Sequence, residues 1–178
     1  MEKIVPYMQK DGIPNMPDSF LASLYATLEA DGIAKIAFYD GSVRCAHDFV
    51  QMFKRKDQLL FVVFRDDKPI MIAWLNTFEG KRAQGHFAMF KCGLCKETTR
   101  IGKMVLDYIL NIKGGDGFVF DVIYGITPTS NKLACRAVKK VFDFSAIIPN
   151  FCYNFWTQTA CDGMITHKTR AGENEDLQ

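Results

Sequence analysis

Apolar positions along the chain recur first at helical spacing and then in alternation, and the change of period divides the sequence into elements. After Pro17-Asp18-Ser19, residues Phe20, Leu21, Leu24, Tyr25 and Leu28 share one helical face, and Asp31-Gly32 ends it. A weaker helical pattern runs from about Cys45 to Lys54 through Ala46, Phe49, Val50 and Phe53. The period then becomes two. QLLFVVF and PIMIAWLNTF read as strands on either side of Arg65-Asp66-Asp67-Lys68, which predicts a hairpin. A third strand, roughly Gln84 to Cys92, sets His86, Ala88, Phe90 and Cys92 on one face and Phe87 and Met89 on the other.

Helical spacing returns in CKETTRIGKMVL, where Ile101, Val105, Tyr108, Ile109 and Ile112 form one stripe before Gly114-Gly115 breaks it. FVFDVIYGI follows as an apolar strand, and strand, helix, strand predicts a right-handed crossover between parallel neighbours. Thr127-Pro128-Thr129-Ser130-Asn131 opens another helix, with Thr129 or Ser130 able to cap it and Leu133, Ala134, Ala137 and Val141 turned inward. SAIIP and FCYNFWTQ read as the closing pair of strands. From Asp162 the sequence is polar and reads as a mobile tail, giving one domain over residues 1–161 and a tail over 162–178.

Composition narrows the function classes. At 178 residues, 48% apolar and 13% aromatic, the chain has material for a packed core without metal or disulfides. The net charge of +2 offers no general field for nucleic acid or anionic lipid, and Lys132, Arg136, Lys139 and Lys140 read as one solvated helix face. Runs such as LLFVVF and FVFDVIYGI are too short to cross a bilayer as helices, so no membrane partner is expected. The start, MEKIVPYMQK, lacks the apolar core of a secretion signal, and the six cysteines are irregularly spaced, so the expected compartment is the reducing cytoplasm. Cys92-Gly93-Leu94-Cys95 is a CxxC without a second close pair or a histidine at ligand spacing, so no metal site is expected. No G-x-S-x-G, Walker loop or H-E-x-x-H occurs.

Two segments carry a family resemblance. RIGKMVLDYIL resembles the helix after the coenzyme A pyrophosphate loop of the GNAT superfamily of N-acyltransferases, and TPTSNKLACRAVKKVFDF resembles that family's later helix. With their flanking strands they cover roughly Gln84 to Trp156, and the order of elements is similar too. The resemblance implies an α/β fold, a GNAT-like acyl-CoA N-acyltransferase fold with a mixed central sheet flanked by helices. It also implies acetyl-CoA as co-substrate, no metal, and an acetyl group moved to an unidentified amine acceptor. Gly102 matches the last glycine of the loop, whose backbone amides would face the pyrophosphate together with Thr99, Arg100, Ile101 and Lys103. Asn131 looks like the residue that contacts the pantetheine arm, and backbone near Phe90 and Cys92 would hold that arm like an added strand. His86 and Glu79 are the candidate bases, and Tyr124 or Tyr153 the candidate acids.

Each of these residues also has an ordinary structural reading: an interior histidine, a turn glutamate, a glycine for close helix packing, an asparagine cap. The Gly-Phe that usually ends the later helix is missing, with Phe142-Asp143-Phe144 in its neighbourhood, and three single positions depart from the family pattern. Glu97 stands where Arg or Gln is usual, Arg100 replaces a glycine, and Val138 occupies the place of the usual tyrosine acid. They support a second reading, a GNAT-like protein without catalysis that serves in binding or assembly. A third is an acyltransferase with another acyl donor. The late strands offer an edge for pairing, so a homodimer is also expected to be open to the chain.

Overall fold

The computed structural model describes residues 1–94 and 97–170. Its elements are strand β1 (Glu2–Pro6), helices α1 (Asp18–Ala30), α2 (Ala34–Ala37) and α3 (Ala46–Phe53), and strands β2 (Leu59–Arg65), β3 (Lys68–Glu79) and β4 (Arg82–Met89). A 3-10 turn at Lys91–Gly93 leads to α4 (Thr98–Leu110), then β5 (Val122–Pro128), α5 (Lys132–Val141), β6 (Phe144–Asn154) and β7 (Thr159–Thr169). Seven strands form one sheet in the order β1-β2-β3-β4-β5-β7-β6. All neighbours are antiparallel except β4 and β5, which run parallel through the crossover helix α4.

The alternation of β2 to β4 sorts side chains to two cores. Leu60, Val62, Ile72, Trp74, Ala88 and Phe90 meet α1 to α3, where Leu21, Leu24, Leu28, Phe38, Phe49 and Phe53 are buried. On the other face Phe61, Val63, Ala73, Leu75, Ala83 and Met89 meet Ile101, Val105 and Ile109 of α4. The helical spacing of Leu21, Leu24, Tyr25 and Leu28 is thus a buried stripe, as the sequence predicts. The α4 stripe is rotated from the expected one, because Tyr108 is 38% exposed at its edge while Leu106 and Leu110 are buried.

Four boundaries differ from the sequence reading. SAIIP and FCYNFWTQ are not two strands but largely one, β6, and its partner is β7. The segment from Asp162, expected to be a tail, therefore supplies most of a strand that reaches Thr169 and lies between β5 and β6. Its polar composition hid this, since backbone groups are satisfied by ladders on both sides and only Met164, Thr166 and Gly163 need burial. The strand read from FVFDVIYGI starts only at Val122, because Gly117–Phe118 pairs with Lys113–Gly114 in a small hairpin. The third strand begins earlier than expected and ends at Met89, with Cys92 in the following 3-10 turn. β1, which pairs with β2 through Ile4↔Val63 and Val5↔Val62, has a pattern too short to stand out in the sequence.

The turn after β4 is fixed against β3. Phe90 donates its N–H to the Ile70 carbonyl at 3.0 Å, and a Cβ on Gly93 would lie 2.3 Å from that same carbonyl oxygen. Because the obstacle is backbone of a central strand, Gly93→Ala is expected to cost about 2 kcal/mol. Urea denaturation of the variant against wild type measures it; an unchanged midpoint would show that the turn yields freely.

Candidate functional site

β4 and β5 are paired only over Arg82↔Val122, Ala83↔Ile123 and Gln84↔Tyr124. Beyond that point β4 continues along β3 to Met89, while β5 continues along β7 to the Pro128↔Gly163 pair. Each strand follows its other neighbour, so a cleft opens between them. The Ile70–Phe90 hydrogen bond sets the phase of the β3–β4 ladder: Ile72–Ala88 and Trp74–His86 are bonded pairs of the same kind. The intervening residues Phe87 and Met89 consequently aim their backbone N–H and C=O groups away from β3, into the cleft, joined by the carbonyl of Gly85, whose N–H faces Tyr124 at the last parallel bridge. A strand edge turned inward is a ready partner for an extended ligand.

On the α4–α5 side the cleft is lined by Thr98, Gly102, Val105 and Leu106 from α4 and by Asn131, Ala134 and Val138 from α5. Gly102 lets the two helices close on each other, since a Cβ there would lie 3.1 Å from Val141 Cγ2. The Asn131 side chain accepts the Ala134 N–H at 3.1 Å, so it caps α5 in place of Thr129 or Ser130. The first helical bond of α4 runs from Ile101 N–H to the Glu97 carbonyl, and the amides of Thr99 and Arg100 lie ahead of it, where a helix start presents N–H groups to an anion.

Through the sheet the cleft reaches a second, polar cavity lined by Asp40, Asp48, Gln51, Arg55, Gln58 and Asn76, among others. Ala37, Tyr39, Trp74 and His86 line both, and so form the passage between them. His86 stacks on Trp74 with ring centroids 4.9 Å apart and planes within 7°. Its Nε2 is 3.0 Å from Asn76 Oδ1; with that oxygen as acceptor, Nε2 carries the proton and Nδ1 the lone pair. Burial pulls the imidazole pKa down to about 4, against a smaller opposing pull from the Asp40 carboxylate, so the ring is neutral at pH 7. Tyr39 is pushed up by burial first and by Cys152 second, and its hydroxyl donates to Cys152 Sγ at 3.8 Å.

The loop bearing Tyr39 is held from the far end of the chain. Phe155 N–H donates to the Tyr39 carbonyl at 2.7 Å, and Trp156 Nε1–H to the Phe38 carbonyl at 2.9 Å. Arg44 lies over the Phe155 ring at 4.4 Å. Gly41, at φ +75°, packs so close that a Cβ would stand 2.5 Å from Phe155 Cγ. Glycine is required there on both counts.

The structure gathers some sequence candidates and separates others. His86, Gly102 and Asn131 line the cleft. Ile101 is fully buried in the core. Arg100 turns its guanidinium to Glu2 at 2.8 Å and Glu97 at 3.1 Å, and Thr99 and Lys103 are not among the lining residues. Both backbone groups of Phe90 are engaged, to Ile70 and Gly93, so the inward edge belongs to Gly85, Phe87 and Met89 instead. Cys92 is exposed, with Sγ 3.5 Å from the Pro69 carbonyl. Glu79 is ion-paired with Arg82 at the outer end of the β3–β4 hairpin. Tyr124 sits opposite Gln84 at the last paired position, near Glu79. Tyr153 is 51% exposed and donates to Gln158, away from either cavity. Tyr39 was missed, because nothing in Phe38-Tyr39-Asp40-Gly41 marks its spatial neighbours; only the turn glycine is legible. Cys95 lies outside the described residues.

No protein-family model matches the chain, and no curated protein matches its sequence. Solved structures do. The microcin C7 self-immunity acetyltransferase MccE, in complex with acetyl-CoA and AMP, aligns with a TM-score of 0.65 and 15% identity over 88% of this chain and 91% of its own. Spermidine N-acetyltransferase from Vibrio cholerae, in complex with CoA and spermine, gives 0.64 and 12% over 93% and 95%. The ribosomal alpha-N-protein acetyltransferase RimL, with coenzyme A, gives 0.64 and 10% over 86% and 90%. The chain therefore has the GNAT acyltransferase fold, a mixed sheet flanked by helices, as the resemblance implied.

Asn131 has a measurable structural duty apart from any ligand. Loss of its cap in Asn131→Ala is expected to lower stability by about 1 kcal/mol, and Asn131→Asp to restore most of it. Denaturant titration of the two variants checks the order.

Proposed function

We propose that the protein is an N-acetyltransferase that moves an acetyl group from acetyl-CoA to an amine, with coenzyme and amine entering from opposite faces of the sheet. The observation that carries this reading is the opening between β4 and β5, which joins an α4–α5 groove to a polar cavity at the neutral ring of His86. The likeness to CoA-bound acetyltransferases supports the choice of donor.

In this reading the pantetheine arm lies along the inward edge of Gly85, Phe87 and Met89, and the start of α4 faces the pyrophosphate. The amine attacks the thioester carbonyl; the C–N bond forms as the C–S bond breaks. His86 Nδ1 takes the proton released from the nitrogen, directly or through one water. Tyr39, kept protonated by its surroundings, is the hydroxyl proposed to protonate the departing thiolate, a role the sequence assigned to Tyr124 or Tyr153. Glu97 and Arg100, the departures from the family loop, spend their charges on Glu2, Arg65 and each other, which keeps the acidic side chain compensated.

A noncatalytic binding or assembly role is the second reading, and Val138 in the cleft, where the family carries a tyrosine, favours it. Acetyl-CoA decides between them. A ligand held only by the folded state at one hundred times its Kd adds about 2.7 kcal/mol to stability, so a clear rise in Tm is expected. No rise at millimolar acetyl-CoA supports the second reading and overturns the first. Thiol release with a panel of amines then reports turnover, in which His86→Ala is expected to lower kcat by about 100-fold or more, and Tyr39→Phe by less.

The pH profile carries a separate expectation. Because the folded pKa of His86 is depressed to about 4, its base form is present throughout the neutral range and is lost only as pH falls toward that value. With a weakly basic amine acceptor, kcat/KM is expected to stay level from pH 7 down to about 5, where an unperturbed histidine near 6.5 would already have cost most of the activity.

A further inference from the structure

His86 is held on two sides by different means. Trp74, directly opposite it on β3, lies flat against the ring and fixes its plane, but a stacked face does not choose which nitrogen carries the proton. That choice falls to the ring edge. Asn76, opposite Gln84, is the diagonal neighbour of His86 across the β3–β4 ladder, and its Oδ1 lies 3.0 Å from Nε2. A carboxamide has an oxygen at one end and an NH2 at the other, so Asn76 settles the imidazole tautomer only if its own direction is settled. The same oxygen has a second partner: Thr77 donates its hydroxyl to Asn76 Oδ1 at 3.2 Å.

Thr77 can reach back to its neighbour because the strand is interrupted there. Between the Asn76↔Gln84 and Glu79↔Arg82 pairs β3 carries one residue more than β4, a β-bulge, and Thr77 within it has φ +50°. Of six non-glycine residues at positive φ among the described residues, four are Asp or Asn, and Thr77 alone is β-branched. For a branched side chain this is a costly conformation. The bulge itself has a packing purpose, since the extra residue carries Phe78 to the α4 face, where it stacks on Phe120 with ring centroids 6.1 Å apart. That purpose needs an additional residue but no threonine, and glycine would take the same φ without strain. What threonine adds is the hydroxyl.

We infer that Thr77 is a positioning residue for His86: its hydroxyl fixes the direction of the Asn76 amide, so that the amide oxygen keeps the proton on Nε2 and leaves the Nδ1 lone pair for the incoming amine. Thr77 lines neither cavity and acts through Asn76 alone. The use of Nδ1 rests on the acyl-transfer reading. The tautomer does not, and is observable in the protein without coenzyme.

Nitrogen-15 spectra distinguish a protonated from a bare imidazole nitrogen, and the His86 signals are those missing from His86→Gln, the chain having two other histidines. At pH 7 the ratio of the Nε2–H to the Nδ1–H form is expected to be about 10 in wild type and to fall toward about 1 in Thr77→Gly, the size of effect that one hydrogen bond supplies. Thr77→Gly also removes the backbone strain, so its urea midpoint is expected to hold or rise while the tautomer shifts, which separates positioning from folding. Thr77→Ser keeps the hydroxyl and is expected to keep the wild-type ratio. In the thiol-release assay kcat follows the Nε2–H fraction, so Thr77→Gly is expected to lower it about twofold with KM for acetyl-CoA unchanged, and Thr77→Ser to leave it at the wild-type value. Wild-type His86 protonated on Nδ1, or a ratio that Thr77→Gly leaves unmoved or Thr77→Ser fails to keep, would overturn the inference whether or not the protein turns over acetyl-CoA. A shifted ratio with kcat unmoved would overturn it as well. A shifted ratio in a protein inert toward acetyl-CoA would support the hold of Thr77 on the tautomer and count against the transfer reading alone.

Discussion

Everything proposed for this molecule depends on β4 and β5 being neighbours for three residues and no more. Parallel pairing is the weaker kind per residue, and each of the two strands has an antiparallel partner whose ladder runs much further. Once β4 follows β3 and β5 follows β7, their separation is settled by their outer neighbours in the sheet. The same phase relation that commits Phe90 to Ile70 leaves Gly85, Phe87 and Met89 facing the gap. The cleft is therefore a product of sheet order, and its inward edge would survive many changes in the side chains that line it.

The two sides of the opening differ in chemistry because they belong to different cores. Toward α4 and α5 the lining is mainly apolar, with polar groups at the two helix starts and at Thr127 of β5. Toward α2 and α3 it is polar and acidic. His86 stands between, desolvated enough to stay neutral and oriented by Asn76 from the adjoining strand. Neutrality matters to the proposed acyl transfer: a charged ring in the passage would repel a cationic amine and could not take its proton.

The fold was legible where a local pattern decides the outcome. The stripes of α1, α3 and α4, the β2–β3 hairpin and the parallel crossover all follow from spacing. It was illegible where tertiary pairing overrides composition, as in β7, whose Thr and Lys residues conceal a strand flanked on both sides. The site was legible in part. His86, Gly102 and Asn131 could be named from strand phase and motif, but the direction of Arg100 was set by Glu2 nearly a hundred residues earlier. Tyr39 and Asp40 gave no signal, since their nearness to His86 comes from packing rather than from sequence spacing.

Phe155 and Trp156, at the tip between β6 and β7, hold the carbonyls of Phe38 and Tyr39, and Gly41 admits the Phe155 ring. Synthesis makes the Tyr39 loop more than a hundred residues before its clamp. Until that tip arrives and β7 slots between β5 and β6, the loop has neither of its two far hydrogen bonds. The wall of the cleft at Tyr39 is thus finished only after the sheet itself, by a hairpin that grips a loop already in place.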